Sequence, residues 1–538
     1  MRDSVIAIIG IIGILVVIGV GVSYVQADDV DDTEPEVPDT DVPVTEEVIN
    51  KQMNIRGLTD GEVTCYKGIP YAEAPVGDLR FAPPVPKAQW TETLDCTKFG
   101  HSSVQLPIVP PGIDMDCLYL NVWAPADAKA GDNLPVYVWI HGGAYIIGSG
   151  SQPLYDGTEF AKDGIVTVTI NYRLGMEGYL NLQVLKDEYG SAGNFGTLDQ
   201  VLALKWVHDN ISAFGGDNGH VTIGGESAGG ASVFNLLMCK EAGGLFQQAI
   251  MESGSIDCGF MPMIASDDQK SLASFRSLLS TLGLEDSEEG LAELREMDPL
   301  FLWNLASISA SELIDKPYFY MPVFDGKVLP KEPIRALKEG DYNKDVKVII
   351  GNNGREGDLF DGNTLTSMDV GKYLYRNWEG DDARAIMELY KGDHRLPNEK
   401  TSEVIALTLF MVPAAIVQNE LADDGETVYA YEFEYRGSNE VEPIHMSELA
   451  YVFGNLGKMN SNTTETDRLV MDQAHSMWVN FIINGDPNVG LELPSDVVWE
   501  KYDTDTRGAF HFNAEFTFGD KTLADKVDFC VPHYHMCG

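Results

Sequence analysis

One stretch, Gly224-Gly225-Glu226-Ser227-Ala228-Gly229-Gly230, constrains this chain more than any other. It follows the β-branched segment Val221–Ile223 and precedes Ala231–Met238, whose composition is helical. A serine at such a junction must occupy a strained turn that lifts its hydroxyl clear, and small neighbours let strand and helix approach closely. The core of the stretch, GESAG, fits the G-x-S-x-G nucleophile elbow. A five-residue pattern in a glycine-rich chain gains specificity only from a second signal. That signal is His141-Gly142-Gly143-Ala144, directly after the apolar run Val136–Ile140. A glycine-rich turn there offers backbone N–H groups toward a reacting carbonyl oxygen. Gly142 and Gly143, with the N–H of Ala228, make three candidate oxyanion donors.

A further strand is expected at Ile165–Asn171, and Leu198–Ile211 carries apolar residues at helical spacing. Strands and helices in alternation imply an α/β protein with a largely parallel sheet covered on both faces. At 538 residues, length alone suggests three or four domains. Neither an internal repeat nor a second linker interrupts the chain after residue 50, so residues 51–538 read as one large domain. A nucleophilic Ser227 needs a general base. In this fold class the order is Ser, acid, His, which leaves His394, His445, His475, His511, His533 and His535 as candidates.

The amino terminus reads as an address. Val5–Val22 is an unbroken run of apolar residues and glycines which, extended through Val25, is long enough as a helix to cross a bilayer. Val25-Gln26-Ala27 also resembles a cleavage site. Residues 1–27 are thus either a signal peptide or an anchor through residues 5–25, and both readings place the body outside the cytoplasm. Residues 28–50 hold ten acids, three prolines and no base, the composition of an extended, solvated tether.

The chain carries 83 Asp and Glu against 37 Lys and Arg, a net charge of −46, of which −36 falls on residues 51–538. No basic surface is available to neutralise phosphates, which excludes a general nucleic-acid binder. The acidity reads either as a means of solubility or as adaptation to concentrated salt, where screening relieves self-repulsion; the second reading predicts a melting temperature that rises with added NaCl, and a flat response would exclude it. Seven cysteines suit an exported protein with a few staples. Near neighbours are Cys96 with Cys117, Cys239 with Cys258, and Cys530 with Cys537. The terminal Cys530, His533, His535 and Cys537 also have zinc-ligand spacing, although a disulfide is the commoner use outside the cell.

Across residues 51–538 the chain resembles the type-B carboxylesterases, the family that also holds the cholinesterases and the non-enzymatic neuroligins. The resemblance rests on Tyr66–Pro84 (YKGIPYAEAPVGDLRFAPP), Asp116–Pro125 (DCLYLNVWAP), Gly193–Gln200 (GNFGTLDQ), Ile211–Val233 and Val323–Pro330 (VFDGKVLP). Later come Ile349–Gly357 (IIGNNGREG), His445–Gly454 (HMSELAYVFG) and Trp478–Asn488 (WVNFIINGDPN). The resemblance implies an α/β-hydrolase fold: a large, mostly parallel central sheet flanked by helices, with helical cap insertions. It implies Ser227 as nucleophile, Glu356 as acid and His445 as base, no cofactor, no metal, and a small-molecule ester as substrate. Oligomeric state is left open.

Three departures from the family pattern stand out. Gly224 replaces a residue usually aromatic, which suggests a looser elbow wall. The cysteine that the family pairs with the counterpart of Cys117, near Ser103, is absent, and Cys96 is the expected substitute. The loop between Ser103 and Asp116 lacks the tryptophan by which cholinesterases hold a quaternary ammonium, so choline esters are not expected as the specific substrate. The acidic body favours neutral esters. Residues 260–320, with Met261, Met263, Leu302, Trp303 and Phe319, are read either as a cover over the site or as ordinary core. The alternatives to a simple esterase are a catalytically silent, neuroligin-like binding protein and a lipase or polymer-directed esterase.

Overall fold

The computed structural model describes residues 46–106, 111–256, 268–312, 321–330, 332–361, 380–437, 441–459 and 462–533. Among them, thirteen strands build one sheet. The first five are β1 (Glu46–Asn50), β2 (Ile55–Thr59), β3 (Val63–Pro70), β4 (Leu94–Asp95) and β5 (Tyr119–Pro125). The next four are β6 (Leu134–Ile140), β7 (Val166–Ile170), β8 (Gly216–Glu226) and β9 (Gln248–Glu252). The last are β10 (Lys347–Asn353), β11 (Val428–Phe433), β12 (Gly508–Phe512) and β13 (Thr517–Asp520). Their order is β1-β2-β3-β5-β7-β6-β8-β9-β10-β11-β12-β13, with β4 beside β2.

From β7 to β12 all neighbours run parallel. The flanks are antiparallel apart from the short β4, which runs parallel to β2, so the sheet is mixed around a parallel centre. The antiparallel flank arises where β1, β2 and β3 follow one another through short connections, without the helical crossover that a parallel neighbour requires. In the centre, β6 shows why both faces are covered. Val136, Val138 and Ile140 point into one core with Val168, Ile223 and Phe234. Tyr137 and Trp139 point into the other, with Phe453, Trp478 and Trp499. Two helices, α1 (Phe195–Asn210) and α2 (Ala228–Met238), supply Leu204, Val207, Val233 and Leu237 to the aliphatic face.

The acidic tether, expected to reach Asn50, stops sooner. Glu46–Asn50 is an edge strand in register with β2, from Glu46 opposite Thr59 to Asn50 opposite Ile55. Val48 packs on the core while Glu46 and Glu47 stay exposed, charges that blunt a free sheet edge. The expected leader and residues 28–45 lie outside the described residues.

Cys96 and Cys117 are separate, buried free thiols, contrary to the pairing expected from sequence. Cys96 is held between β2 and β3, its N–H donating to Arg56 O and its carbonyl accepting from Lys67 N–H. Cys117 instead hydrogen-bonds Ser103, the residue near which the family has its cysteine. Cys65, for which the spacing offers no partner, is free, as are Cys239 and Cys530; Cys258 and Cys537, the expected neighbours of the last two, lie outside the described residues, as does His535.

Of the suggested cover, residues 268–312 form α3 (Asp268–Thr281), α4 (Glu288–Glu296) and α5 (Pro299–Glu312). Leu302 joins Phe275, Leu279, Leu291 and Phe195 in a satellite core. Trp303 packs on Val104 and Ile147, beside the glycine-rich turn, and its indole N–H donates to Ile146 O (3.3 Å). Met261, Met263 and Phe319 lie outside the described residues.

Candidate active site

Ser227 stands between β8 and α2 with φ 59° and ψ −124°, a left-handed conformation that a non-glycine residue keeps only when its surroundings enforce it. They do so from two sides: the Ser227 N–H donates to Glu252 O (2.9 Å) on β9, and its carbonyl accepts from Ala231 N–H (2.9 Å) in α2. The glycines are forced by proximity. A Cβ at Gly225 would sit 2.5 Å from the Gly229 carbonyl, and one at Gly142 would sit 2.5 Å from Glu226 O and 3.1 Å from Ser227 Cβ. The glycine-rich turn therefore lies directly against the elbow.

Within that turn Gly143, Ala144 and Tyr145 have φ of 106°, 54° and 60°, three successive residues in the left-handed region. The Gly143 carbonyl accepts from Ile146 N–H (3.0 Å) and Ile147 N–H (3.1 Å). His141 anchors its base, stacked on Tyr172 at 4.6 Å, with Tyr172 OH donating to His141 O (2.9 Å). Burial lowers the His141 imidazole to about 4, so it remains neutral. A Cβ at Gly143 would press well inside contact distance of the Ile147 carbonyl oxygen. Gly143→Ala is expected to cut kcat/KM on a soluble ester by about 100- to 1000-fold, the usual loss of one oxyanion donor. Less than a threefold change would remove this turn from the chemistry.

Glu356 and His445 are 89 residues apart and meet through their backbones. Arg355 N–H donates to Pro443 O (2.9 Å), and Arg355 bridges Ile444 in a parallel pair, so the two loops are zipped side by side. His445 Nδ1–H donates to Glu356 Oε2 (2.6 Å), while Glu356 Oε1 accepts from Asn353 N–H (2.6 Å). The other ring nitrogen, Nε2, faces the elbow strand, 3.0 Å from Oε1 of Glu226, the residue preceding Ser227. Burial pulls the His445 imidazole down, but the carboxylates of Glu226 and Glu356 outweigh it and raise it to about 9.

Among the described residues, the other candidate histidines stand away from the elbow. His475 pairs with Asp163 (2.9 Å), His511 lies among Glu432 and Glu434, His533 pairs with Asp382 (2.9 Å), and His394 is exposed. Several residues at the site carry no signal in the sequence. Phe410, on a π-helical turn (Leu407–Met411), packs its ring 4.9 Å from His445. Asn353 donates to Glu448 Oε2 (2.6 Å), and Ser253 donates to Glu448 Oε1 (3.3 Å). The wall at Gly224 is not loose: a Cβ there would lie 2.6 Å from Tyr137 Cε2, so the Tyr137 ring fills the space left by the missing aromatic.

Sheet, elbow and glycine-rich turn together define an α/β-hydrolase. Residues 47–530 match the model of the carboxylesterase family. The para-nitrobenzyl esterase of Bacillus subtilis is 34% identical over 515 residues, covering 90% of this chain and 98% of that protein. Carboxylesterase 1D of Mus musculus is 34% identical over 517 residues, covering 87% and 88%. Among solved structures, a Geobacillus stearothermophilus carboxylesterase superposes with a TM-score of 0.77 at 33% identity, covering 88% of this chain and 98% of that one. The chain belongs to the carboxylesterase family and is a carboxylic ester hydrolase.

Proposed function

We propose that the protein hydrolyses neutral carboxylic esters through an acyl-enzyme, with Ser227 as nucleophile, His445 as general base and Glu356 as the acid that orients it. The observation that carries this reading is the 2.6 Å Glu356–His445 pair, set against a strained serine elbow that abuts a glycine-rich turn. His445 Nε2 takes the Ser227 proton as Oγ attacks the ester carbonyl, then returns it to the leaving alcohol. The N–H groups of Gly142, Gly143 and Ala228 receive the developing oxyanion. Water repeats the sequence on the acyl-enzyme. Glu356, fully buried, holds the ring with Nδ1 protonated, which makes Nε2 the basic nitrogen, and stabilises the imidazolium. No cofactor enters this scheme.

Labelling with a fluorophosphonate followed by peptide mapping tests it: an adduct on Ser227 supports the triad, and an adduct absent from folded protein overturns it. The pH profile gives a second test. From sequence alone, the loss of activity on protonating the base falls at about pH 6 to 7, where histidine ordinarily titrates. The buried carboxylates around His445 raise that threshold. Only the neutral imidazole acts as base, so kcat/KM should decline as pH falls through a value above the ordinary histidine range. A decline seen only below about pH 6 would contradict the electrostatics of this site.

A further inference from the structure

Behind the elbow lies a second carboxyl that the mechanism above does not use. Glu226 ends β8 and Glu252 ends β9, and the two are register partners in a parallel pair, so their side chains leave the sheet on the same face from strands about 4.8 Å apart. Both are fully buried. Trp478 Nε1–H donates to Glu252 Oε1 (3.0 Å). Among the described residues, Glu252 Oε2 has no hydrogen-bond partner, and Glu226 Oε1, though 3.0 Å from His445 Nε2, makes no hydrogen bond to it. Each carboxyl thus keeps an unsatisfied buried oxygen on the same face of the sheet.

The groups facing the pair are Glu356 and Glu448, the imidazole of His445, and the hydroxyls of Tyr137, Tyr155 and Tyr431. Three carboxyls, those of Glu226, Glu356 and Glu448, therefore act on one imidazole, and Glu252 stands behind them beside Glu226 and Glu448. Like charges this close in a low dielectric do not both ionise, and a carboxyl pair in that position holds a proton between its oxygens.

Building on the triad reading, we propose that Glu252 is a positioning residue for the hydrolytic site: its carboxyl and that of Glu226 hold one proton between them, so that Glu226 does not stand as a full anion against His445. Burial, which raises both acids well above the ordinary carboxylate range, agrees with this. The consequence for catalysis is that Glu226 contributes only part of the rise in His445 described above, which leaves the imidazole available as a base at lower pH than beside a fully ionised Glu226.

The pH dependence of kcat/KM in three full-length proteins tests the proposal. In Glu252→Gln the amide still accepts from Trp478, but its N–H donates to Glu226 and fixes the negative charge there. The acid limb should then move to higher pH by about one unit, a tenfold lower kcat/KM at any pH below the limb. Glu226→Gln should move it the opposite way. A Glu252→Gln profile that superimposes on the wild type, or that moves downward as Glu226→Gln does, overturns the proposal. Should Glu252→Gln fail to fold, infrared spectroscopy of the wild-type protein at pH 8 decides: a protonated-carboxyl C=O band is expected, and its absence overturns the proposal. Failure of the triad itself would look different, as Ser227→Ala would then retain activity.

Discussion

Ser227→Ala is expected to lower kcat by about six orders of magnitude, the loss typical of removing the nucleophile from a triad, with KM changed little. The variant should fold, because the elbow is imposed by its neighbours: the backbone hydrogen bonds to Glu252 and Ala231 do not involve the hydroxyl. Alanine also removes only one atom from a residue already held at φ 59°. What remains after substitution is catalysis by the glycine-rich turn and by substrate binding, typically about 10³- to 10⁴-fold over water. Initial rates on a soluble para-nitrophenyl ester, with active-site titration to exclude wild-type contamination, measure it. Retention of more than about one part in a thousand would mean that another group attacks the ester.

Glu356→Gln should cost about 10⁴-fold in kcat, the loss recorded when the acid of a triad becomes an amide. The reasoning rests on two short hydrogen bonds. Glu356 Oε1 accepts from the buried Asn353 N–H and Oε2 accepts from His445 Nδ1–H, so both ends of the carboxylate must be acceptors. An amide has one oxygen. With that oxygen turned to Asn353, its NH₂ faces Nδ1 and forces the imidazole into the tautomer whose proton sits on Nε2, where the base is needed. With it turned to His445, the Asn353 N–H loses its partner in a buried site, at about 1–3 kcal/mol. Glu356→Asp keeps both acceptors and should retain more activity than the amide. A glutamine variant within tenfold of wild type would show that the carboxylate is structural only.

The parts of the proposed site legible from sequence are those that lie in contiguous stretches. Ser227, Gly142, Gly143 and Ala228 could be read because an elbow and a tight turn impose glycine at fixed neighbouring positions. The strands at Val136–Ile140 and Val221–Ile223 were visible as apolar runs, although β8 extends in both directions to Gly216–Glu226. His445 and Glu356 were accessible only through the family resemblance, since nothing local marks two loops that meet by a backbone bridge across 89 residues. The rest depended on register and packing. That Glu226 stands beside Glu252 follows from the alignment of β8 with β9. That Gly224 is covered by Tyr137 follows from the slant of one ring across a strand. The separate thiols of Cys96 and Cys117 show the same limit: spacing suggested a pair, but the fold gives each its own neighbours.

The indole that donates to Glu252 has a use beyond holding that carboxyl. Trp139, Trp478 and Trp499 are fully buried in the aromatic face of the sheet, and the rings of Trp478 and Trp499 lie 5.7 Å apart. Chromophores so close couple electronically, and one of them is hydrogen-bonded to a titrating group beneath the nucleophile. The molecule thus contains an optical gauge of its own interior. Near-ultraviolet dichroism, to which such a coupled pair contributes, is expected to respond to a change of charge at that depth without any added label.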